Sequence, residues 1–374
     1  MAYNENRLAA LRAKMSEAGI DILYIRNLSN VAWLSGFERV FDGEPAHAIA
    51  LTATACALHS DSRYLDALES CARCTSIQID GSRTSHATFL ANMLDEVERN
   101  GSDGLLGVGI EDSLTLAEFR HLEEALSGNP HIRLVELSGF VERLRQVKDE
   151  GEIEAMRKAQ AITDAAFSQI VEFMHAGMTE REVRLALDSF MFEEGAEGLA
   201  FSTIVATGAH GASPHAIPGE TRLAVGDAVV MDFGARFGGY CSDMTRTVFV
   251  GEPSEKLCRA FRVLRRANEE CEAMVRAGVC ASDVHAHAEK VLAEGGFEGA
   301  MGHSLGHSVG IDIHESPNLS PRNSEPLVAG NVVTVEPGIY LPGEFGMRLE
   351  DYGVVRNDGF EVLTQSAHEM VIVG

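Results

Sequence analysis

Val229-Val230-Met231-Asp232-Phe233, the link Gly234-Ala235-Arg236-Phe237-Gly238-Gly239, and the run from Tyr240 to Val250 decide how this chain is read. Two apolar, β-branched or aromatic runs flank a glycine-rich link, which is a β-hairpin signal. With the turn centred between Phe237 and Gly238, Asp232 faces Asp243 across the ladder. Directly opposed positions bring Cβ atoms to roughly 4.5–5.5 Å, where like charges repel unless something positive lies between them. A metal ion supplies that charge.

The construction recurs near the C-terminus. Asn331 to Glu336 reads as a strand, Pro342 to Gly346 as a turn, and Met347 to Val355 as the return strand, with Glu336 and Glu350 symmetric about Gly343. One acidic hairpin is ordinary, because one face of an antiparallel sheet is often solvated. Two of them, both flanked by valine-rich runs, predict a buried cluster of four carboxylates. Two divalent cations would balance its charge and hold a hydroxide between them. His307 lies between the two hairpins, in a segment punctuated by Gly302, Gly306 and Gly310. Oxygen-dominated ligation with one imidazole favours Mn, Co, Zn or Fe over copper or an iron–sulfur cluster.

The surrounding motifs carry a resemblance. Met231-Asp232-Phe233-Gly234-Ala235, Ser242-Asp243-Met244-Thr245-Arg246-Thr247, Gly302-His303-Ser304-Leu305-Gly306-His307, Val335-Glu336-Pro337-Gly338 and Arg348-Leu349-Glu350-Asp351 are similar, in order, to those of the pita-bread metallopeptidases. Within that family the chain resembles the Xaa-Pro dipeptidase (prolidase) and aminopeptidase P branch. The resemblance implies that Asp232 is a ligand to one metal, that Asp243 and Glu350 bridge two, and that His307 and Glu336 complete the ligand set of the second metal. It implies an α+β fold: a C-terminal pita-bread (creatinase/aminopeptidase) catalytic domain with antiparallel sheet and pseudo-two-fold symmetry, after a smaller α/β N-terminal domain.

Further matches extend the expected site. Ser213-Pro214-His215-Ala216 and Gly310-Ile311-Asp312-Ile313-His314-Glu315 resemble segments whose histidines contact substrate or carry protons, so His215 and His314 are the catalytic candidates beside Glu336. A neutral imidazole can donate to a developing oxyanion, and one titrating near working pH can relay a proton. His303 and Arg348 fall where relatives shape the pocket. Arg348 could hold a substrate carboxylate through its paired donors, or form an ion pair with Asp351 or another acid. Ala209-His210-Gly211 departs from the asparagine that relatives often carry ahead of the Pro-His segment.

Competing patterns are weaker. Gly302-His303-Ser304-Leu305-Gly306 fits the G-x-S-x-G nucleophile elbow, but that reading needs a strand before Ser304 and a helix after it, and neither flank supplies one. The glycines around His303 and His307 argue for loop or edge strand, each costing about 1 kcal/mol relative to alanine inside a helix. Cys71-Ala72-Arg73-Cys74 is a lone C-x-x-C in a helical context, with no second pair at zinc spacing. Gly104 to Gly109 does not complete a nucleotide fingerprint, since Asp112 takes the last glycine position of a frame starting at Gly107.

Composition bounds the rest. At 374 residues and 45% hydrophobic content the chain can bury two cores, expected over residues 1–145 and 146–374, with the charged segment Arg143 to Glu152 at the boundary and a long helix from Glu152 to His175. Helix-like segments alternate with short apolar runs in the first part, as in an α/β domain. A net charge of -25 argues against nucleic acid or anionic membrane as partner. Met1 to Arg7 lacks the apolar core of a secretory signal, and no run reaches the roughly 18 apolar residues of a membrane span. Seven cysteines at irregular spacing suit free thiols in a reducing compartment, so the expected location is cytoplasmic. The expected function is a dinuclear metallopeptidase cleaving the Xaa-Pro bond of dipeptides or the N-terminal residue of Xaa-Pro peptides, and the branch implies a homodimer. The alternatives are a same-fold hydrolase of a small amide or amidine, or a non-catalytic peptide-binding member.

Overall fold

The computed structural model describes residues 2–37, 39–99 and 105–374; Gly104, the first glycine of the Gly104 to Gly109 stretch, lies outside them. The chain divides into two compact units, Met1–Arg145 and Gln146–Gly374.

The first unit runs α1 (Ala2–Ala18), β1 (Ile22–Ile25), α2 (Leu28–Ser35), β2 (His47–Thr52), β3 (Cys56–Ser60), α3 (Leu65–Ala72), β4 (Gln78–Asp80), α4 (His86–Arg99), β5 (Leu106–Glu111), α5 (Leu116–Leu126), β6 (Ile132–Leu137) and α6 (Glu142–Arg145). Its sheet has the order β4-β3-β2-β1-β5-β6. Only β2 runs against its neighbours, so β1, β3, β4, β5 and β6 share one direction. β1, β2, β3 and β5 are buried along their length, while β4 and β6 at the two edges are partly exposed, and Ile22, Ala50 and Val108 pack with Phe89 and Leu90 of α4 and Leu122 of α5. Continuous apolar strands of this kind are what a sheet covered by helices requires. Cys71 sits in α3 as a free thiol, so the C-x-x-C is neither paired nor extended into a metal set.

The second unit begins with α7 (Glu150–Phe173) and α8 (Glu180–Glu193), followed by β7 (Gly198–Leu199), β8 (Ile204–Thr207), β9 (Ala228–Phe233), β10 (Ala235–Phe237), β11 (Tyr240–Cys241) and β12 (Met244–Val250). It continues with α9 (Glu255–Met274), α10 (Ala281–Glu294), β13 (Gly306–Ser308), β14 (Glu315–Leu319), β15 (Val332–Val335), β16 (Gly338–Leu341), β17 (Phe345–Arg348), β18 (Asp351–Val355), β19 (Phe360–Val362) and β20 (Val371–Val373). Asp149 starts α7 with a capping box: its carboxylate accepts from the N–H groups of Gly151 and Glu152, and Glu152 reaches back to the Asp149 N–H. Each half of the unit sets a helix pair against a mainly antiparallel sheet. Phe167 of α7 and Val183 and Leu187 of α8 pack on Val205, Met231 and Val248. Cys271 of α9 and Val284 and Ala288 of α10 pack on Leu319, Val333 and Val335.

The first acidic hairpin differs from the sequence reading by two residues of register. Gly238 and Gly239 have φ of 57° and 80°, and Phe237 pairs with Tyr240 around them. A two-residue hairpin loop of type I′ needs positive φ at both central positions, and adjacent glycines meet that need best. The turn is therefore centred between Gly238 and Gly239, and Asp232 pairs with Thr245 instead of Asp243. Because side chains alternate with period two, the shift leaves Asp232 and Asp243 on one face as diagonal neighbours. In the second hairpin Gly343 takes φ 79°, Gly338 pairs with Arg348, and Val335 pairs with Asp351, the register that keeps Glu336 opposite Glu350.

Candidate metal centre

Each acidic side chain is set by a strand end. Asp232 is the last residue but one of β9 and Asp243 precedes β12, while Glu336 follows β15 and Glu350 lies between β17 and β18. Thr245 ties the two hairpins together. It is the ladder partner of Asp232, its carbonyl accepts from the Glu350 N–H at 3.1 Å, and its hydroxyl donates to Glu350 Oε2 at 2.6 Å. Glycine is required where β13 passes β15, since a Cβ at Gly306 would overlap the Thr334 carbonyl oxygen. That close passage brings His307 to the cluster.

The five residues come together. Ligand atoms of Asp243, His307 and Glu350 all lie within 4.8 Å of one another. His307 Nε2 is 3.5 Å from Asp243 Oδ2 and 3.5 Å from Glu336 Oε1. The tautomer follows from the other ring nitrogen: Nδ1 is 3.1 Å from the Ser308 carbonyl, which can only accept, so Nδ1 carries the proton. Burial pushes the His307 imidazole down to about 4. Its Nε2 is thus a bare lone pair facing two carboxylates. Donating the distal N–H to a backbone carbonyl is the usual support for a metal-bound histidine.

The carboxylates are as crowded. Asp243 and Glu350 are 4% and 2% exposed. Burial, then the charge of their neighbours, holds both well above the usual carboxylate range, and burial pushes Glu336 up to about 8. Asp232 is also raised by burial, opposed by Arg348, and its Oδ1 is buried with no hydrogen-bond partner. Four buried acids, an orphaned oxygen and a bare imidazole nitrogen fit divalent cations, the donor set being oxygen-rich with one nitrogen. A second cluster, Glu272, Asp351 and His368, already contains its cation. There Arg246 donates to Asp351 Oδ1 at 2.7 Å and His368 Nε2 stands 2.6 Å from Oδ2.

The remaining candidates are placed as follows. His314 is exposed, its ring 4.4 Å from that of His307 at 71°. His215 is exposed on the loop after Gly208–Ala212, within electrostatic reach of Asp232. Arg348 is buried and fully engaged: it donates to Asp232 Oδ2, to the Tyr340 hydroxyl at 2.8 Å and to Thr245 Oγ1 at 2.9 Å. Its acid partner is therefore Asp232 and not Asp351. His303 meets the other side of the Tyr340 hydroxyl at 3.2 Å. Ser304 sits in the loop between α10 and β13, without the strand-turn-helix of a nucleophile elbow.

Sequence reasoning missed Thr245, Tyr340 and the pair Lys148–Glu315. Lys148 Nζ lies 3.1 Å from Ser308 Oγ and 3.0 Å from Glu315 Oε2, both groups almost fully buried, and so fixes the segment around His314. Only Thr245 had a signal, the Gly238-Gly239 pair that sets it opposite Asp232.

Residues 154–357 match the model of metallopeptidase family M24, and residues 7–147 match the creatinase/prolidase N-terminal domain. The chain belongs to metallopeptidase family M24. An uncharacterized peptidase of Bacillus subtilis is 34% identical over 98% of this M24 chain and 100% of its own. Among solved structures, a Xaa-Pro dipeptidase from Bacillus anthracis matches with TM-score 0.91 and 33% identity over 99% of this chain and 100% of that one. An X-Pro aminopeptidase from Thermotoga maritima matches with TM-score 0.86 and 33% identity, covering 96% and 100%. As an M24 metallopeptidase the chain is a hydrolase of peptides, and the family implies divalent metal ions. Among the described residues no helix is long and apolar enough to cross a membrane.

Proposed function

We propose that this M24 metallopeptidase is a Xaa-Pro dipeptidase, with Asp232, Asp243, His307, Glu336 and Glu350 holding a pair of divalent ions. The observation that carries the reading is the bare Nε2 of His307 set between two carboxylates at 3.5 Å, an arrangement that a divalent cation completes. Its structural relatives named Xaa-Pro dipeptidase and X-Pro aminopeptidase support the proline bond as target. When bound, the ions polarise the scissile carbonyl and supply a water acidic enough to attack at neutral pH.

The chain's own groups do the rest. The Glu336 carboxylate takes the proton of the attacking water and returns it to the leaving nitrogen. His215 and His314, both exposed beside the cluster, donate hydrogen bonds to the oxygen on which charge develops. Arg348 holds Asp232 in place, and His303 with Tyr340 walls the pocket behind it. We take manganese as the working metal, since oxygen donors suit it. Residues 146–374 are taken as the peptidase domain and residues 1–145 as the N-terminal one. Seven free thiols support a reducing, cytoplasmic setting, and a homodimer is what the family resemblance implies.

The test is a substrate panel on metal-stripped protein before and after reloading with Mn: Xaa-Pro dipeptides, longer Xaa-Pro peptides and non-proline dipeptides. Turnover of Xaa-Pro dipeptides that appears only on reloading and exceeds both comparison groups supports the proposal. Controls cleaved as fast as Xaa-Pro would remove the proline specificity.

A further inference from the structure

A cavity of about 940 Å³ lies in the N-terminal unit, and none of its lining residues belongs to the carboxylate cluster. Its walls include residues that end or follow β1, β3 and β4, three strands that point the same way, and are completed by α5 and the segment before β2. In open α/β sheets, ligands bind in the crevice outside the carboxyl ends of the strands. The volume falls within the ~300–1,000 Å³ of small-molecule sites.

The floor presents polar groups without partners. Tyr24 is 4% exposed and lines the cavity, yet its hydroxyl has no hydrogen-bond partner among the described residues. The ring is packed while the hydroxyl oxygen opens to the cavity, where a ligand can meet it. Beside it, His59 Nδ1 and His86 Nδ1 meet at 2.6 Å, and His59 Nε2 is 3.1 Å from the Ser82 carbonyl. That carbonyl can only accept, so in the neutral pair His59 Nε2–H donates to it. His59 Nδ1 then accepts from His86 Nδ1–H, which leaves His86 with a bare Nε2 on the cavity wall.

The charges sort in the same way. Arg26 is spent on Glu118 and on the carbonyls of Pro45 and His47, and Arg63 is spent on Asp61. Arg83 is exposed, lines the cavity and has no partner among the described residues, so it is the cation left for a ligand. It belongs to Gly81-Ser82-Arg83-Thr84-Ser85, the loop from β4 into α4. Ser85 caps α4 by accepting from the Thr88 N–H at 3.1 Å, while the N–H groups of His86 and Ala87, both wall residues, remain orphan donors of the first turn.

We propose that this cavity binds a small organic phosphate, its phosphoryl group held by Arg83 and the N-terminus of α4, and its hydroxyl-bearing body reaching Tyr24 and His86 Nε2. Backbone N–H groups at a helix start joined by an arginine fork form the donor set that phosphate favours. Glu44 and Glu124 at the exposed rim oppose a polyanion, which selects a monoester over a triphosphate or nucleic acid.

The test is calorimetric titration of the full chain in phosphate-free buffer with inorganic phosphate, ribose 5-phosphate and malate. The proposal predicts saturable binding of ribose 5-phosphate, tighter than inorganic phosphate, and weakened roughly tenfold or more by Arg83→Ala and by Tyr24→Phe. Arg83 is exposed and Tyr24→Phe keeps the packed ring, so both variants should melt as the parent does and retain peptidase activity. Absence of saturable binding by either phosphate compound overturns the proposal. So does binding of malate alone, or a phosphate isotherm that both variants leave unchanged.

Discussion

The unprotonated Nε2 of His307 faces a carboxylate oxygen of Asp243 across 3.5 Å, with the proton of that ring committed to the Ser308 carbonyl. Lone pair against anion is a repulsive contact unless a proton or a cation stands between them, and the raised carboxyls of this cluster hold protons that a metal would displace. Several consequences can be measured.

Asp243→Asn should separate stability from function. At alkaline pH, where the cluster is ionised, removing one of its charges stabilises the metal-free protein by about 1–3 kcal/mol, while the further rise in melting temperature that divalent metal gives the parent shrinks and peptidase activity falls by at least about a thousandfold. Scanning calorimetry with and without chelator checks this. A variant that melts below the parent in chelator, or gains as much from metal, contradicts it.

The chelated protein should lose stability as pH rises. Asp243, Glu336 and Glu350 carry folded-state pKa values raised above their unfolded values, Glu336 to about 8, so the folded state binds more protons than the unfolded one in that window. Their contribution is fully present below the unfolded range near 4.5 and is lost as pH climbs through the folded values. The slope is up to about 1.4 kcal/mol per pH unit for each such group. Denaturant midpoints between pH 5 and pH 8 in chelator should fall, and saturating metal should flatten the curve.

Arg246→Ala should be severe without touching a metal-facing atom. Arg246 is 2% exposed and donates to the Glu350 carbonyl at 2.6 Å, the Ser366 carbonyl at 2.6 Å and Asp351 at 2.7 Å. Burial alone would raise Asp351, but Arg246 and His368 hold it at about 2. Breaking one partner of such a pair costs about 3–5 kcal/mol. Arg246→Lys, which keeps charge but not the planar fork, should fall between in a urea titration.

Glu180→Ala should impair catalysis through the His215 loop. The buried Glu180 accepts from the Thr207 N–H at 3.0 Å, from His210 at 2.7 Å and from the Gly219 N–H at 3.0 Å, bracketing His215 from both sides. Losing these anchors leaves buried donors unpaired at about 1–3 kcal/mol each. A drop in kcat/KM of roughly tenfold or more is expected with metal content unchanged. Steady-state kinetics beside metal analysis decides it, and unaltered kinetics would refute the anchor.

Much of this was legible in the chain, and the rest has physical reasons for being hidden. The Glu336 hairpin was placed in register because Gly343 sits alone at the turn, whereas the six-residue link after Phe233 allowed two turn centres, separated only by the positive-φ demand on Gly238 and Gly239. A two-residue slip preserves the face, which is why the four carboxylates were still grouped correctly. The engagement of Arg348 could not be read from sequence, since its partners Asp232, Thr245 and Tyr340 come from three different strands. The cavity of the first unit was equally silent, because it is built from loops that close only when β1, β3 and β4 are aligned.

The most direct measurement of the central claim is a crystal structure of the protein soaked in a manganese salt, with an anomalous difference map. Two peaks, ringed by Asp232, Asp243, His307, Glu336 and Glu350 with ligand atoms at about 2.0–2.2 Å, are the predicted result. A map with no anomalous peak among these five side chains at saturating metal would contradict the account.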